Sequence, residues 1–143
     1  MIPDAGSAQG GRPAARTVLL VEDEPAVREL SRRVLERAGY AVIAPADPRE
    51  ALVLCESSAT AVDALVTDVV MPDLSGPELA RRALAARPDL PVVLLSGYSQ
   101  ETADVEDLVR RGAVFASKPL GTRDFLGIVD RALRGRVAGD RRP

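Results

Sequence analysis

The sequence contains no histidine and only one cysteine among its 143 residues. Without histidine, the chain cannot build a Ser-His-Asp triad or a histidine metal site, and it cannot donate a phosphoryl group from a phosphohistidine of its own. The single thiol, Cys55, has no partner for an internal disulfide, which favours a reducing, cytoplasmic location. Carboxylates, hydroxyls and amines are therefore the groups from which a reactive site would be built.

Long apolar runs and charge of one sign are also scarce. No apolar run approaches the roughly 18 residues of a membrane span, and the N-terminus lacks the basic and apolar regions of a signal peptide. The formal net charge is only −2, so no strong field favours nucleic acid or an anionic membrane. We therefore expect neither direct nucleic acid binding nor membrane insertion.

Aromatic residues make up only 3% of the chain, while hydrophobic residues reach 46% and charged residues 28%. This balance is typical of one globular domain whose Ala-, Val- and Leu-rich core packs helices on a sheet. Residues 1–15 are predicted to be a flexible N-terminal segment, and residues 136–143 a frayed basic tail. The folded domain is predicted to span residues 16–135.

Short apolar runs alternate with amphipathic segments through that domain. Pro25 stands where a first-turn proline belongs, and Ser75-Gly76-Pro77-Glu78 has the pattern of a capping box. The strands are predicted at residues 17–21, 40–43, 64–67, 91–95 and 113–116, each followed by a helix. Five successive βα units predict an α/β fold, in which five helices cover both faces of a doubly wound, five-stranded parallel sheet.

Reactive side chains follow the predicted strands at one edge of the sheet. Parallel strands gather their carboxyl ends at one edge, and open α/β sheets bind ligands there. The residues at these ends are Glu22, Asp23 and Glu24 after the first strand, Asp68 at the end of the third, Ser96 and Gly97 after the fourth, and Ser117, Lys118 and Pro119 after the fifth. Their convergence is a stronger signal than any single motif.

The acids at this edge indicate a metal-assisted phosphoryl acceptor. Like charges at Glu22, Asp23 and Asp68 repel one another, so at least one pKa should rise unless a cation is bound. Mg²⁺ is the hard divalent ion that suits a few carboxylates plus water. A carboxylate can attack phosphorus to give an aspartyl phosphate, whose oxygens can be neutralised by Mg²⁺, the Lys118 ammonium and the Ser96 hydroxyl.

Four segments together carry a family resemblance. They are Val21-Glu22-Asp23-Glu24, the stretch from Thr67 to Gly76, Leu95-Ser96-Gly97-Tyr98 and Lys118-Pro119. Over residues 16–135 they resemble, in order and spacing, the receiver domain of two-component response regulators, the CheY-like superfamily. The central part is most similar to receivers of hybrid sensor histidine kinases. The resemblance implies a flavodoxin-like sheet with strand order 2-1-3-4-5.

The resemblance implies an acceptor and a set of Mg²⁺ ligands. Asp68 corresponds to the phosphorylated aspartate, and it ligates the metal together with Asp23. Glu22 replaces the commoner aspartate that acts through water, and the backbone carbonyl of Val70 corresponds to the third protein ligand. Val70 and Tyr98 occupy positions that tune loss of the phosphoryl group. Because Val70 offers no group to position water, we expect slow self-dephosphorylation.

The resemblance also implies how the phosphoryl group is held and sensed. Lys118 corresponds to the phosphate-contacting lysine, whose bond to Pro119 is commonly cis in the family. Ser96 and Phe115 correspond to the switch pair that reshapes the face formed by the fourth helix, the fifth strand and the fifth helix. The implied partners are a sensor histidine kinase or a histidine phosphotransfer protein, with a possible downstream protein target.

Simpler interpretations of the same residues stay open from the sequence. Glu22-Asp23-Glu24 could be first-turn acids that favour a helix N-terminus, Lys118 a surface lysine, and Ser96-Gly97 a plain loop. Three other functions are also possible: a phosphatase with an aspartate nucleophile, a flavin or nucleotide module, and a phosphate-independent pseudo-receiver. The first expects its nucleophile after strand one, and the second expects a phosphate loop where this chain has acids. A receiver that belongs to a hybrid kinase and a stand-alone regulator fit equally well.

Overall fold

The computed structural model describes residues 15–97 and 102–140, with residues 136–140 as helix backbone only. Within these ranges five strands alternate with five helices, as predicted. The strands are β1 (Thr17–Val21), β2 (Ala41–Ile43), β3 (Ala64–Asp68), β4 (Val92–Ser96) and β5 (Val114–Ser117). The helices are α1 (Pro25–Arg37), α2 (Pro48–Glu56), α3 (Gly76–Ala86), α4 (Ala103–Arg110) and α5 (Thr122–Asp140).

The five strands form one parallel sheet in the order β2-β1-β3-β4-β5. This is the flavodoxin-like order that the resemblance implied. Alternate residues of each strand point to opposite faces, so Leu19 joins one core cluster and Val18 the other. Helices α2, α3 and α4 cover the first face, and α1 and α5 cover the second. The doubly wound prediction is confirmed.

Local chemistry explains where the helices begin. Helix α1 starts at Pro25, whose missing N–H costs nothing in a first turn. The Ser75 hydroxyl accepts a hydrogen bond from the Glu78 backbone N–H at 3.2 Å and so caps α3. The serine half of the predicted capping box is therefore confirmed, while the Glu78 carboxylate pairs with Arg81.

The last helix is longer than the sequence pattern suggested. Helix α5 runs to Asp140 and therefore crosses the boundary predicted at residue 135. Gly135 and Gly139 disfavour a helix by only about 1 kcal/mol each, and no proline interrupts this stretch. The predicted flexible segment lies almost wholly outside the described residues.

Among the described residues, no helix combines the length and the apolar character needed to cross a membrane.

Candidate functional site at the carboxyl edge of the sheet

Three carboxylates meet where β1 and β3 end. In the parallel pairing of these strands Val21 lies opposite Thr67, which brings the next residues, Glu22 and Asp68, to the same level. One oxygen each from Glu22, Asp23 and Asp68 lies within 4.8 Å of the others. Glu22 is 5% exposed and Asp68 6%, whereas Asp23 is exposed. The structure therefore brings together the acids that the sequence singled out.

Lys118 bridges two of these carboxylates. Its Nζ lies 2.9 Å from Asp68 Oδ1 and 3.1 Å from Glu22 Oε1. The Lys118 backbone N–H donates to the Ser96 carbonyl at 2.7 Å, which fixes the loop after β5 beside the end of β4. The Lys118–Pro119 bond is cis, as the resemblance implied. Lys118 is thus part of the acidic cluster, and its interpretation as a plain surface lysine is wrong.

The electrostatics of the cluster follow from burial and from crowding of like charges. Burial raises the pKa of Asp68 to about 7, the neighbouring Glu22 carboxylate adds to this rise, and Lys118 opposes it. Burial alone would lower the pKa of Lys118, but Asp68 and Glu22 outweigh that effect and raise it. The expected rise in at least one acid pKa is confirmed, and the ammonium stays charged at neutral pH.

Two hydrogen bonds hold the loop that carries Glu22 and Asp23, one within the loop and one from α1. Glu22 Oε2 accepts from the Glu24 backbone N–H at 3.1 Å. The Glu22 carbonyl accepts from Arg28 Nη1 at 2.9 Å. The sequence analysis did not identify Arg28. The available signal was an arginine in the first turn of the helix that follows the acids.

The sequence analysis also missed a close contact between the start of α3 and the end of β3. A Cβ at Gly76 would lie 1.9 Å from the Asp68 carbonyl oxygen, so only glycine fits there. The Gly76 N–H donates to the Val69 carbonyl at 2.9 Å. The backbone around Asp68 is therefore fixed from the side of α3.

The predicted switch residues lie on neighbouring strands. Ser96 is buried at the end of β4 opposite Ser117, and Phe115 lies in β5 opposite Leu94. Phe115 is partly buried and packs against the core cluster that contains α4. Their switching stays a prediction. Val70 is exposed just beyond β3 and its carbonyl ligand role is likewise untested, while Tyr98 lies outside the described residues.

The donor set of this edge suits a hard divalent cation. Carboxylate oxygens are the ligands that Mg²⁺ takes from proteins, usually one or two together with water. Glu22, Asp23 and Asp68 supply such oxygens from two neighbouring strand ends, and Lys118 balances part of their charge. The residues present therefore fit Mg²⁺.

Known proteins are similar to this chain in sequence. The response regulator receiver domain profile matches residues 18–130. The sensor kinase CckA of Brucella abortus is 45% identical over 85 residues, which are 59% of this chain and 9% of CckA. The response regulator receiver protein CpdR of the same organism is 31% identical over 118 residues, 82% of this chain and 97% of CpdR.

A solved structure agrees with these relatives. The response regulator TrrA from Thermotoga maritima, crystallised in complex with Mg²⁺-BeF, superposes with a TM-score of 0.71 at 26% identity. The superposition covers 82% of this chain and 99% of TrrA. The match thus spans nearly all of CpdR and of the TrrA chain but only 9% of CckA. The profile covers most of the folded residues, including the acidic cluster and Lys118, and the chain belongs to the receiver domain family of two-component response regulators.

Proposed function

We propose that Asp68 accepts a phosphoryl group from the phosphohistidine of a sensor histidine kinase or a histidine phosphotransfer protein. A carboxylate oxygen of Asp68 forms the new O–P bond while the donor's N–P bond breaks, and the electron pair of that bond stays on the imidazole nitrogen. The observation that carries this proposal is the buried Asp68 carboxylate, paired with Lys118 at 2.9 Å beside two further acids.

Lys118 and Ser96 have distinct tasks in this proposal. The Lys118 ammonium already contacts Asp68, so it can follow a phosphoryl oxygen and neutralise its charge without a large movement. Ser96 ends the neighbouring strand at the same edge, where its hydroxyl would contact the phosphoryl group. Both groups favour the phosphorylated state through charge and hydrogen bonding.

Mg²⁺ is proposed as the cofactor of this acceptance. Asp23 and Asp68 would hold it directly, Glu22 through water, and the Val70 carbonyl would complete the protein ligands. When bound, the ion supplies positive charge for the phosphoryl oxygens and relieves repulsion among the acids. The presence of Mg²⁺-BeF in the TrrA structure supports this assignment for a related chain.

The donor is proposed to dock on an apolar groove next to the acceptor. A groove of about 380 Å³ lies between α1 and the loop that joins β5 to α5, and Glu22 and Lys118 line it. Val27 and Leu30 of α1 line the same groove and are exposed. Because the groove is continuous with the site, a donor helix seated there would bring its phosphohistidine towards Asp68.

The proposed output is a change of the face formed by α4, β5 and α5. Phe115 lines a shallow pocket with Val105 and Val109 of α4, and Val109 is exposed. A movement of the Phe115 ring would therefore alter an apolar surface on which a downstream protein could dock.

We expect slow dephosphorylation of Asp68, because the exposed Val70 side chain has no polar group to position water. An aspartyl-phosphate lifetime of seconds would contradict this expectation.

Intact-mass measurement tests the proposed function. The chain is incubated with phosphoramidate and Mg²⁺, in parallel with Asp68→Ala and with a sample containing EDTA. We expect one added phosphoryl group on the wild type, none on Asp68→Ala and little without Mg²⁺. Failure of phosphoramidate and of a second small phosphodonor to modify the wild type would favour a phosphate-independent interaction module.

A further inference from the structure

Arg28 is a charged residue beside the site for which the proposed function has no task. It lies in the first turn of α1, is partly buried, and donates from Nη1 to the Glu22 carbonyl at 2.9 Å. We propose that Arg28 is a positioning residue for the Mg²⁺ site: it fixes the loop of residues 22–24, so that Glu22 and Asp23 present their carboxylates together. The inference rests on the proposed function, because it concerns the same site.

The loop needs such an anchor because its own charges push it apart. Glu22 and Asp23 are adjacent acids that face Asp68, and no bound cation holds them in the metal-free protein. The helix start adds little restraint, because Glu24 at the N-cap makes no side-chain capping bond. Asp23 is exposed, so the position of its carboxylate depends on the loop backbone.

Arg28 connects that backbone to a fixed element. The Arg28 backbone N–H donates to the Glu24 carbonyl at 2.8 Å as part of α1. The Arg28 guanidinium donates to the carbonyl of Glu22, which precedes Glu24 by two residues. Helix α1 is held on the sheet through Leu35, which is fully buried. The guanidinium therefore transmits the position of the packed helix to the carboxylate loop, as residues around metal ligands commonly do.

The direction in which Mg²⁺ affinity changes when Arg28 is removed distinguishes a positioning role from a role through the charge of Arg28 alone. A guanidinium near a divalent cation repels it, so a role through charge alone predicts that removal of Arg28 strengthens Mg²⁺ binding. A positioning role predicts the opposite, because the ligands lose their preorganisation although the local charge becomes more favourable.

Titration calorimetry with Mg²⁺ on the full chain measures this sign. We expect Arg28→Met to weaken binding about 3- to 10-fold, at or below the range typical for residues that orient ligands. Arg28→Lys keeps a donor and should stay within about twofold of the wild type. Arg33→Met removes the same charge from an exposed position on α1 that pairs with Glu29, and it should leave binding unchanged or slightly tighter.

Hydrogen exchange in EDTA supplies a readout that needs no metal. We expect faster amide exchange in the Glu22–Glu24 segment of Arg28→Met, with exchange in β3 unchanged, which also shows that the variant is folded. If Arg28→Met does not fold, Arg28→Gln carries the same expectation, because its amide nitrogen lies two bonds short of the position of Arg28 Nη1.

The outcomes separate the two proposals. A wild type that binds no Mg²⁺ contradicts the proposed function, and the inference fails with it. A wild type that binds Mg²⁺, combined with an Arg28→Met variant that binds equally or more tightly, overturns the inference alone. Unchanged exchange of the Glu22–Glu24 segment overturns it as well.

Discussion

The Asp68 carboxyl group is buried beside another acid, and this has a measurable consequence in the metal-free protein. Its pKa is raised to about 7, so the folded state binds the proton more tightly than the unfolded chain, in which the pKa is about 4. The stability linked to this proton is complete below about pH 4 and is lost as the pH rises through about 7.

Asp68→Asn should therefore stabilise the metal-free protein at high pH. In urea denaturation with EDTA at pH 8, we expect the free energy of unfolding to rise by about 1–3 kcal/mol, because the variant buries no ionised carboxylate there. At pH 5 the difference should shrink, since wild-type Asp68 is then protonated. Equal stabilities of the two proteins at both pH values would contradict the electrostatic account.

Gly76 gives a second prediction at the residue scale. Gly76→Ala should lower the free energy of unfolding by about 3 kcal/mol or more, because its Cβ would overlap the Asp68 carbonyl oxygen. Gly127→Ala is the matched control: this position lies within α5 and nothing stands within 4 Å of an added Cβ. The control should be neutral or stabilising by up to about 1 kcal/mol. Similar effects of the two changes in thermal denaturation would show that the close approach at Gly76 is unimportant.

The site residues differ in how far the sequence could predict them. Asp68 and Lys118 were predictable because strand ends of a parallel sheet meet at one edge and carry unusual polar residues there. Arg28 and Gly76 were not, because they contact backbone carbonyls, and every residue offers such a carbonyl. Their partners become identifiable only when the loops are placed in space.

At the scale of elements, apolar runs located the boundaries of all five strands to within about one residue, which is inside the usual uncertainty of such boundaries. Two of the three inner strands, β3 and β4, are buried at every residue and have a clear signal. The end of α5 was missed because its last residues show no apolar periodicity, although nothing in them stops a helix.

The Arg87 side chain links the connection between α2 and β3 to the end of α3, which gives a prediction for an element. Arg87, at the end of α3, donates to the carbonyls of Cys55 at 2.9 Å and Ser57 at 2.8 Å, and also reaches Thr60. We expect Arg87→Met to lower the free energy of unfolding by about 1–3 kcal/mol, because these carbonyls lose a charged donor. Arg82→Met, at an exposed position of α3, should change it by less than about 0.5 kcal/mol. A loss no larger than this control in urea denaturation would contradict the bridging role.

The groove beside α1 makes a prediction about donor choice. We consider a histidine kinase or phosphotransfer protein that phosphorylates this chain. Leu30→Glu should lower the rate of phosphoryl transfer from that donor about tenfold or more, because the charge disrupts an apolar contact. Uptake from phosphoramidate should be unchanged. Val53→Glu on α2 is the control, since Val53 is 63% exposed and Leu30 64%. Equal slowing by both variants, or by Leu30→Glu with phosphoramidate, would contradict docking in this groove.

At the scale of the whole molecule, the proposed input and output surfaces share α5 but differ in their other helix, which is α1 for the donor groove and α4 for the Phe115 pocket. The donor groove lies between α1 and α5 on one face of the sheet, whereas Phe115 packs into the core on the face of α4. Lys118 connects the two regions, because it lines the donor groove and follows Phe115 by three residues along the chain. The proposed phosphorylation at the carboxyl edge would alter the surface around α4 while the donor occupies the groove beside α1.

The partner of the chain follows from its sequence less directly than its fold does. This chain matches nearly the whole of CpdR but only 9% of the sensor kinase CckA. A sequence pattern predicts the fold and the acidic cluster through local spacing and strand ends. The choice of the protein that docks on an apolar groove depends on the complementarity of two surfaces, and this chain supplies one of them.

Reduction of the phosphorylated chain with borohydride tests the central claim most directly. Borohydride converts an aspartyl phosphate to homoserine, and tandem mass spectrometry of the digested protein then identifies the modified position. After treatment with phosphoramidate and Mg²⁺, we expect homoserine at Asp68 alone, and little of it without Mg²⁺. Two results would contradict the assignment of Asp68 as the acceptor. One is homoserine at Asp23, or the corresponding alcohol at Glu22, in place of homoserine at Asp68. The other is a phosphorylated chain in which Asp68 is unchanged after reduction.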